Sequence, residues 1–392
     1  MRFVIFALVL LGTQTAIAQG PQRYESKNFV MRTDLPEAEA KQLLEKLETM
    51  LDIISRYWGV PNRRQIECVV VKDLKRWPAG SIDPRAMPSM QARAGITLAD
   101  FQRRGNQVRA QAVAYSAART STVQHEAVHA FSYYSFGHCG PEWYSEGMAE
   151  MGSYWVEGNA SVTAPPHTTR YLRNAGRKSI KEITSGKSKK ATSWQDYAWR
   201  WALCHLLANN ENYSKKFRPL GLNMLARKKG SFTGTYGKQL KELEFEFDFF
   251  LDHVEPGFDV NRCRWDWGAR FRKTKPGKPS RCTVEADRGW QASGVRVEQN
   301  QQYRLTAGGS WKLGTESEEI AFDGQKVVSG AGELEAVIMS RMKLAEPFVI
   351  DDTGHFTAKE SGDLYLRCSD RWSSLADNSG EVAVSIETTT KP

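Results

Sequence analysis

Residues 120–155 read TSTVQHEAVHAFSYYSFGHCGPEWYSEGMAEMGSYW, and the spacing of their histidines and glutamates decides how the first half of the chain is organised. His125 and His129 stand four apart. On an α-helix such positions lie one turn above each other on the same face, so both imidazoles can point at one ion. Pro141 then opens a second helical run in which Glu146 follows His129 by seventeen residues and Glu150 lies one turn further on.

A zinc ion accepts nitrogen and oxygen ligands tetrahedrally, and a site that does chemistry uses three protein groups and keeps the fourth place for water. Two histidines therefore need a third ligand from elsewhere, and Glu146 is placed to return to the first helix. Glu126, one helical step round from His125, can reach the water without joining the coordination shell and would serve as general base. Glu150 can accept the other ring N–H of a ligating histidine and fix its tautomer. The competing explanation is a solvated helical stripe, or a pair of core histidines, with no ion at all.

His125-Glu-Ala-Val-His129 followed by Trp143-Tyr-Ser-Glu146-Gly-Met-Ala-Glu150 resembles the gluzincin metallopeptidases, in particular an exported bacterial peptidase-MA-like group. The resemblance runs from about Phe29 to His253 and takes in Val70-Val-Lys-Asp73 and Tyr197-Ala-Trp-Arg-Trp-Ala-Leu203. It implies an α+β, thermolysin-like domain acting on a peptide or protein substrate. Its sheet would have an edge strand, Arg109 to Tyr115, that aligns an extended peptide by strand addition. The resemblance makes His125, His129 and Glu146 the metal ligands, Glu126 the base and Glu150 the outer partner. A peptidase also needs a donor for the oxyanion; Tyr197 is the candidate, with His205 behind it. Tyr197 can equally be a core aromatic on a helix that already carries Trp194, Trp199 and Trp201.

The rest of the 392 residues is enough for two cores. MRFVIFALVLLGTQTAIA, residues 1–18, has a basic Arg2, an apolar run and a small-residue ending, the pattern of an export signal. A mature protein starting near Gln19 is expected to be secreted or periplasmic. No later run reaches the roughly eighteen apolar residues of a transmembrane segment. Export makes disulfides permissible; the six cysteines are too scattered for their pairing to be read, and a Cys263–Cys282 bridge is the first expectation. From Thr283 onward 11 Lys/Arg face 18 Asp/Glu, a net of −7, which leaves +16 before it. That asymmetry fits two domains with different partners. The basic run Arg170 to Lys190 could attract an anionic polymer or acidic peptide, or be a solvated loop; with no recognition motif, nucleic acid is not an expected partner.

Apolar residues at three- and four-residue steps predict a helix from Asp34-Leu-Pro36, with Asp34 as its cap, to Gly59. Strands are predicted over Asn28 to Thr33, Ile66 to Val71 and Arg109 to Tyr115, and helices over Thr192 to Asn209 and Leu240 to His253. Phe271 to Arg281, rich in proline, glycine and charge, reads as linker. The expected division is a peptidase-like domain over 19–262, a linker over 263–281 and a second domain over 282–392. Alternating runs at Gly294 to Glu298, Tyr303 to Ala307, Leu364 to Cys368 and Val382 to Ile386 predict an antiparallel, jelly-roll-like β-sandwich. Trp290 in its surroundings, Ser361 to Asp370 and Asp377-Asn-Ser-Gly380 resemble the calcium-dependent galactose-binding bacterial lectins. That resemblance implies Ca²⁺ and a glycan at Asp370, Ser374, Asp377 and Asn378, oxygen donors suited to a hard cation. Ser369, Cys368 and Trp372 depart from the pattern, which leaves a docking or stabilising module as the other expectation.

Overall fold

The computed structural model describes residues 20–104, 107–185, 193–323, 332–350 and 353–389; the export signal read over 1–18 and Lys187, Lys189 and Lys190 of the basic run lie outside them. The fold is α+β.

The first sheet contains β1 (Gln22–Glu25), β2 (Phe29–Thr33), β3 (Ile66–Val71), β4 (Gly95–Arg104) and β5 (Gln107–Ala117), in the order β1-β2-β3-β5-β4. β2, β3 and β5 are parallel, and β1 and β4 pair antiparallel at the two edges. The strand expected at the edge, Arg109 to Tyr115, is therefore interior, and β4 is the edge. Its alternation, RAQAVAY, reports two different faces rather than an exposed flank. Ala112 and Ala114 join Cys68 and Val70 in the main core. Tyr115 joins Val69, Val71, Trp77, Ile82 and Met90 on the opposite face.

Ten α-helices lie among the described residues: α1 (Glu37–Trp58), α2 (Met87–Gln91), α3 (Thr120–Phe136), α4 (Glu142–Tyr154), α5 (Pro166–Asn174), α6 (Ile180–Thr184), α7 (Trp194–Asn209), α8 (Ser214–Leu225), α9 (Phe232–Tyr236) and α10 (Leu240–His253). α1 forms because Leu43, Leu47, Met50, Leu51, Ile54 and Trp58 make one buried stripe. Asp34 does not cap it. Its carboxylate accepts instead from the main-chain N–H of Lys72 (2.7 Å) and Asp73 (2.8 Å) and from the Trp77 indole (3.1 Å), tying the β2 exit to the β3 exit. No helix of the described residues is long and apolar enough to cross a membrane.

Two further sheets, between Ser280 and Thr388, form a β-sandwich. One is ordered β11 (Lys343–Leu344), β10 (Leu334–Ser340), β14 (Gly362–Cys368), β7 (Gln291–Val297), with β12 (Phe348–Val349) also on β10. The other is ordered β13 (His355–Thr357), β8 (Gln302–Lys312), β15 (Ser379–Thr388), β6 (Ser280–Glu285), with β9 (Ile320–Asp323) on β8. Val284, Val295, Leu305, Trp311, Ile338, Leu366 and Val384 fill the space between them.

The segment expected to be a linker is built into both domains. Cys263 and Trp265 are buried. The Trp265 ring sits 5.1 Å from Phe245 and 5.9 Å from Phe249 on α10, and 4.6 Å from Tyr365 on β14. Arg272 donates its N–H to Gly294 O, and Arg296 N–H returns to Arg272 O, both at 2.9 Å. The prolines, glycine and lysines that suggested a spacer form the tip of a tight turn closed by Lys278 N–H to Lys275 O at 3.0 Å. One apolar core consequently runs through both domains and includes Val337, Met339, Tyr365 and Leu375 of the sandwich. The expected Cys263–Cys282 bridge is absent: all six cysteines are free, Cys263 in that shared core and Cys282 against the sandwich core. Burial pushes the Cys282 thiol up to about 11.

Glu246 on α10 anchors this junction. Its Oε1 accepts from Trp267 Nε1 (2.6 Å), Asn212 Nδ2 (2.7 Å) and Trp265 N (3.3 Å), and Oε2 accepts from Asn210 Nδ2. Burial outweighs these four donors and raises the carboxyl from 4.5 to about 7. A raised carboxyl means that the folded state keeps its proton longer than the unfolded one. Its contribution is full below pH ~4.5, is lost as pH rises to ~7 and is constant above, about 3 kcal/mol in all. Urea titrations at pH 4.5 and 8 should show wild type losing that much more stability with rising pH than Glu246→Gln; equal losses would show that the group does not titrate there.

Candidate metal centre

α3 and α4 carry the cluster. His125 lies on the face of α3 turned to α4, one turn before His129, and Glu146 sits one turn into α4. The side chain of Glu146 can come so close because α4 packs hard against α3, where a Cβ at Gly152 would fall 2.4 Å from Val128 Cγ2; against α7, a Cβ at Gly147 would fall 2.4 Å from Cys204 Sγ and 2.8 Å from the Arg200 carbonyl. Any larger residue there would push α4 away from its neighbour.

His125 Nε2 and His129 Nε2 are 3.1 Å apart, and Glu146 Oε2 lies 3.2 Å from the first and 3.4 Å from the second. Among the described residues these three form the group whose donor atoms could share a metal ion. The separations can be tested. An ion held at about 2.0–2.1 Å by tetrahedral N and O ligands keeps neighbouring donors about 3.3 Å apart. All three edges fall within ~0.2 Å of that value, and two ring nitrogens 3.1 Å apart can share either a proton or a cation.

The outer atoms support the same orientation. His125 Nδ1–H donates to Glu150 Oε1 at 2.9 Å, which in the neutral ring would leave the Nε2 lone pair facing the cluster. Ser145 Oγ is 3.3 Å from His129 Nδ1 and does the same for the second ring. Ser145 was not foreseen; its position directly before Glu146 was the available signal. Burial alone would depress the His125 imidazolium, yet Glu146 and Glu150 outweigh it and raise the group to about 9. His129 is raised well above its usual range against burial, by Cys139, Glu146 and Glu126. Burial would raise Glu146, but the two imidazoles hold it well below the carboxylate range. The carboxylates of Glu146, Glu150 and Glu126 thus favour positive charge on the two imidazoles.

Glu126 is buried and faces β4, with its Oε2 2.7 Å from Thr97 Oγ1. The Tyr197 ring, on α7, lies 5.5 Å from the His125 ring. Burial, then the carboxylates of Glu146 and Glu126, push its phenol upward, so it remains an O–H donor. The Arg200 guanidinium lies 5.9 Å from the same ring. His205 is not at the cluster. It sits in the core between Trp201 (5.2 Å) and Phe250 (6.0 Å), where burial lowers it to about 4.

The four oxygen donors read in the second domain are brought together in part. Asn378 Nδ2 donates to Asp370 Oδ2 at 3.0 Å and to Ala286 O at 3.3 Å, while Asp377 is exposed beside Gly314 and Ser374 accepts the Asp377 N–H. The same loop is docked on the first domain. Trp372 meets Phe249 of α10 edge-to-face at 5.1 Å and tilts against His253 at 5.0 Å, and the Arg367 guanidinium lies 3.9 Å from its ring. Arg367 is held by Glu335 at 2.6 Å and donates to Asp370 O at 3.2 Å.

No protein-family model matches the chain, and no curated protein matches it. Among solved structures, one described as the EclA N-terminal domain, a PllA-like lectin, matches at 19% identity with a TM-score of 0.22, over 28% of this chain and 95% of that one. A likeness so slight assigns neither fold nor ligand to this chain.

Proposed function

We propose that this is an exported zinc metallopeptidase with a thermolysin-like catalytic domain and a β-sandwich that holds it to a glycan or a protein partner. The observation that carries the proposal is the His125–His129–Glu146 triangle, whose three edges are those of a tetrahedral ligand shell. His125, His129 and Glu146 would hold the zinc, which when bound polarises a carbonyl and acidifies water.

The chain's own groups then act in order. β4, the edge strand, offers its free main-chain N–H and C=O groups to an extended peptide. Glu126 takes a proton from the attacking water, whose oxygen bonds to the peptide carbon while the carbonyl π pair moves onto the carbonyl oxygen. Tyr197 O–H donates to that oxygen. Glu126 returns the proton to nitrogen as the C–N bond breaks, leaving a carboxylic acid and an amine. In the sandwich, Asp370, Ser374, Asp377 and Asn378 are the candidates for Ca²⁺ and a sugar, for which the Asn378 amide, whose Nδ2 donates to Asp370 Oδ2, would have to present its oxygen instead.

Purified protein should contain a single zinc per chain and should cleave a denatured protein. Chelation should abolish cleavage, and zinc alone should restore it. Bound zinc with an inert protein would instead make the fold a non-catalytic binding scaffold. Glu150→Ala should weaken zinc binding about 10- to 100-fold by freeing the His125 ring, as read by competition with a chromophoric chelator.

A further inference from the structure

β4 does more than form the sheet's edge. Its residues alternate, so Ile96 and Leu98 pack against the outer face of the sheet while Thr97, Ala99 and Phe101 face the helices. On the helix side, Thr97 Oγ1 lies 2.7 Å from Glu126 Oε2 and 2.9 Å from the Glu126 carbonyl oxygen. Gly95 sits against the same side chain: a Cβ there would fall 2.5 Å from Glu126 Oε1 and 2.6 Å from Glu126 Cγ. One carboxylate oxygen is thus hydrogen-bonded to the strand, and the other occupies the space that a side chain at position 95 would fill.

We propose that Thr97 and Gly95 are positioning residues for Glu126, so that the strand that receives the substrate also aims the base. The proposal rests on the peptidase reading above. A hydroxyl suits the task better than a fixed N–H donor would. It has one proton and lone pairs to accept with. While Glu126 is ionised, Thr97 O–H donates to Oε2. When the water's proton has moved onto Glu126, the carboxyl O–H can donate to Thr97 Oγ1, and the Thr97 proton turns to the Glu126 carbonyl oxygen. The 2.9 Å contact provides that second acceptor, so the base keeps a partner both before and after it takes up the proton. Gly95 contributes by having no side chain, since the carboxylate could not rest against a residue bearing one.

The test uses Thr97→Val, which keeps the shape and removes the hydroxyl, with Thr97→Ser as the variant that keeps it, and Gly95→Ala. Hydrogen bonds to charged groups are strong enough that Thr97→Val should lower kcat about tenfold or more while KM and zinc content hold, with Thr97→Ser recovering most of the rate. Gly95→Ala should act like Thr97→Val. A second readout needs no activity: in crystals of the metal-free variants the Glu126 carboxylate should keep its place in Thr97→Ser and leave it in Thr97→Val. Glu126→Gln, measured in parallel, separates the failures. If Glu126→Gln is inert while Thr97→Val has the wild-type kcat and an unmoved carboxylate, the positioning role is overturned and the peptidase reading stands. If Glu126→Gln matches wild type, the peptidase reading falls and takes this proposal with it.

Discussion

Glu126→Gln should lower kcat/KM by about 10²- to 10⁴-fold, the range over which a positioned general base contributes, while leaving zinc in place. Glutamine has the shape of glutamate and can still accept from Thr97, so the contact with β4 at 2.7 Å survives. Glu126 also stands outside the His125–His129–Glu146 triangle, so the donor set is untouched. What is lost is the ability to take a proton from water and return it to the amine. Zinc by elemental analysis and cleavage of a quenched fluorescent peptide library decide the matter together. Full zinc with near-wild-type cleavage would remove Glu126 from the chemistry, and loss of zinc would place it among the ligands.

The second large effect concerns stability. Trp265→Ala should cost about 3–5 kcal/mol, the usual range for truncating a buried large aromatic. Trp265 is only 1% exposed, and its ring meets Phe245, Phe249 and Trp267 on one side and Tyr365 of the sandwich on the other. Removing it opens a cavity at the point where the two cores join. Urea unfolding should therefore show both a lower midpoint and two separated transitions in place of one. A loss under about 1 kcal/mol with a single transition would mean that the interface collapses around the gap.

Local periodicity made several elements legible. The buried stripe of α1, the β-branched run of β3 and the apolar spacing of α10 depend on neighbours within the same element, and each was found close to its observed limits. The cluster was legible for the same reason: His125 and His129 are related by one helical turn, and Pro141 and the spacing to Glu146 announced a second helix. What was not legible depends on partners far away in sequence. β5 reads like any alternating strand, and only the return of β4 across it shows which of the two is the edge. Asp34 has the chemistry of a helix cap, yet the unpaired N–H groups of Lys72 and Asp73 claim it. Thr97 carries no local mark at all; its contact with Glu126 depends on the side chain that α3 brings to it. The tract around Phe271 has the composition of a spacer, but Trp265 and Trp267 just before it are anchors, and their targets Phe245, Phe249 and Tyr365 lie on other elements.

The seating of Trp372 against Phe249 and His253 has a geometric corollary. Domains joined by a small wet interface swing freely, whereas an apolar one shared with a common core suppresses that swing. The sandwich is thus held at one distance and angle from the α3–α4 cluster, so that, on the function proposed, a macromolecule bound to it would meet the cluster at a fixed reach, and selection among bonds would turn on distance as well as on side-chain fit.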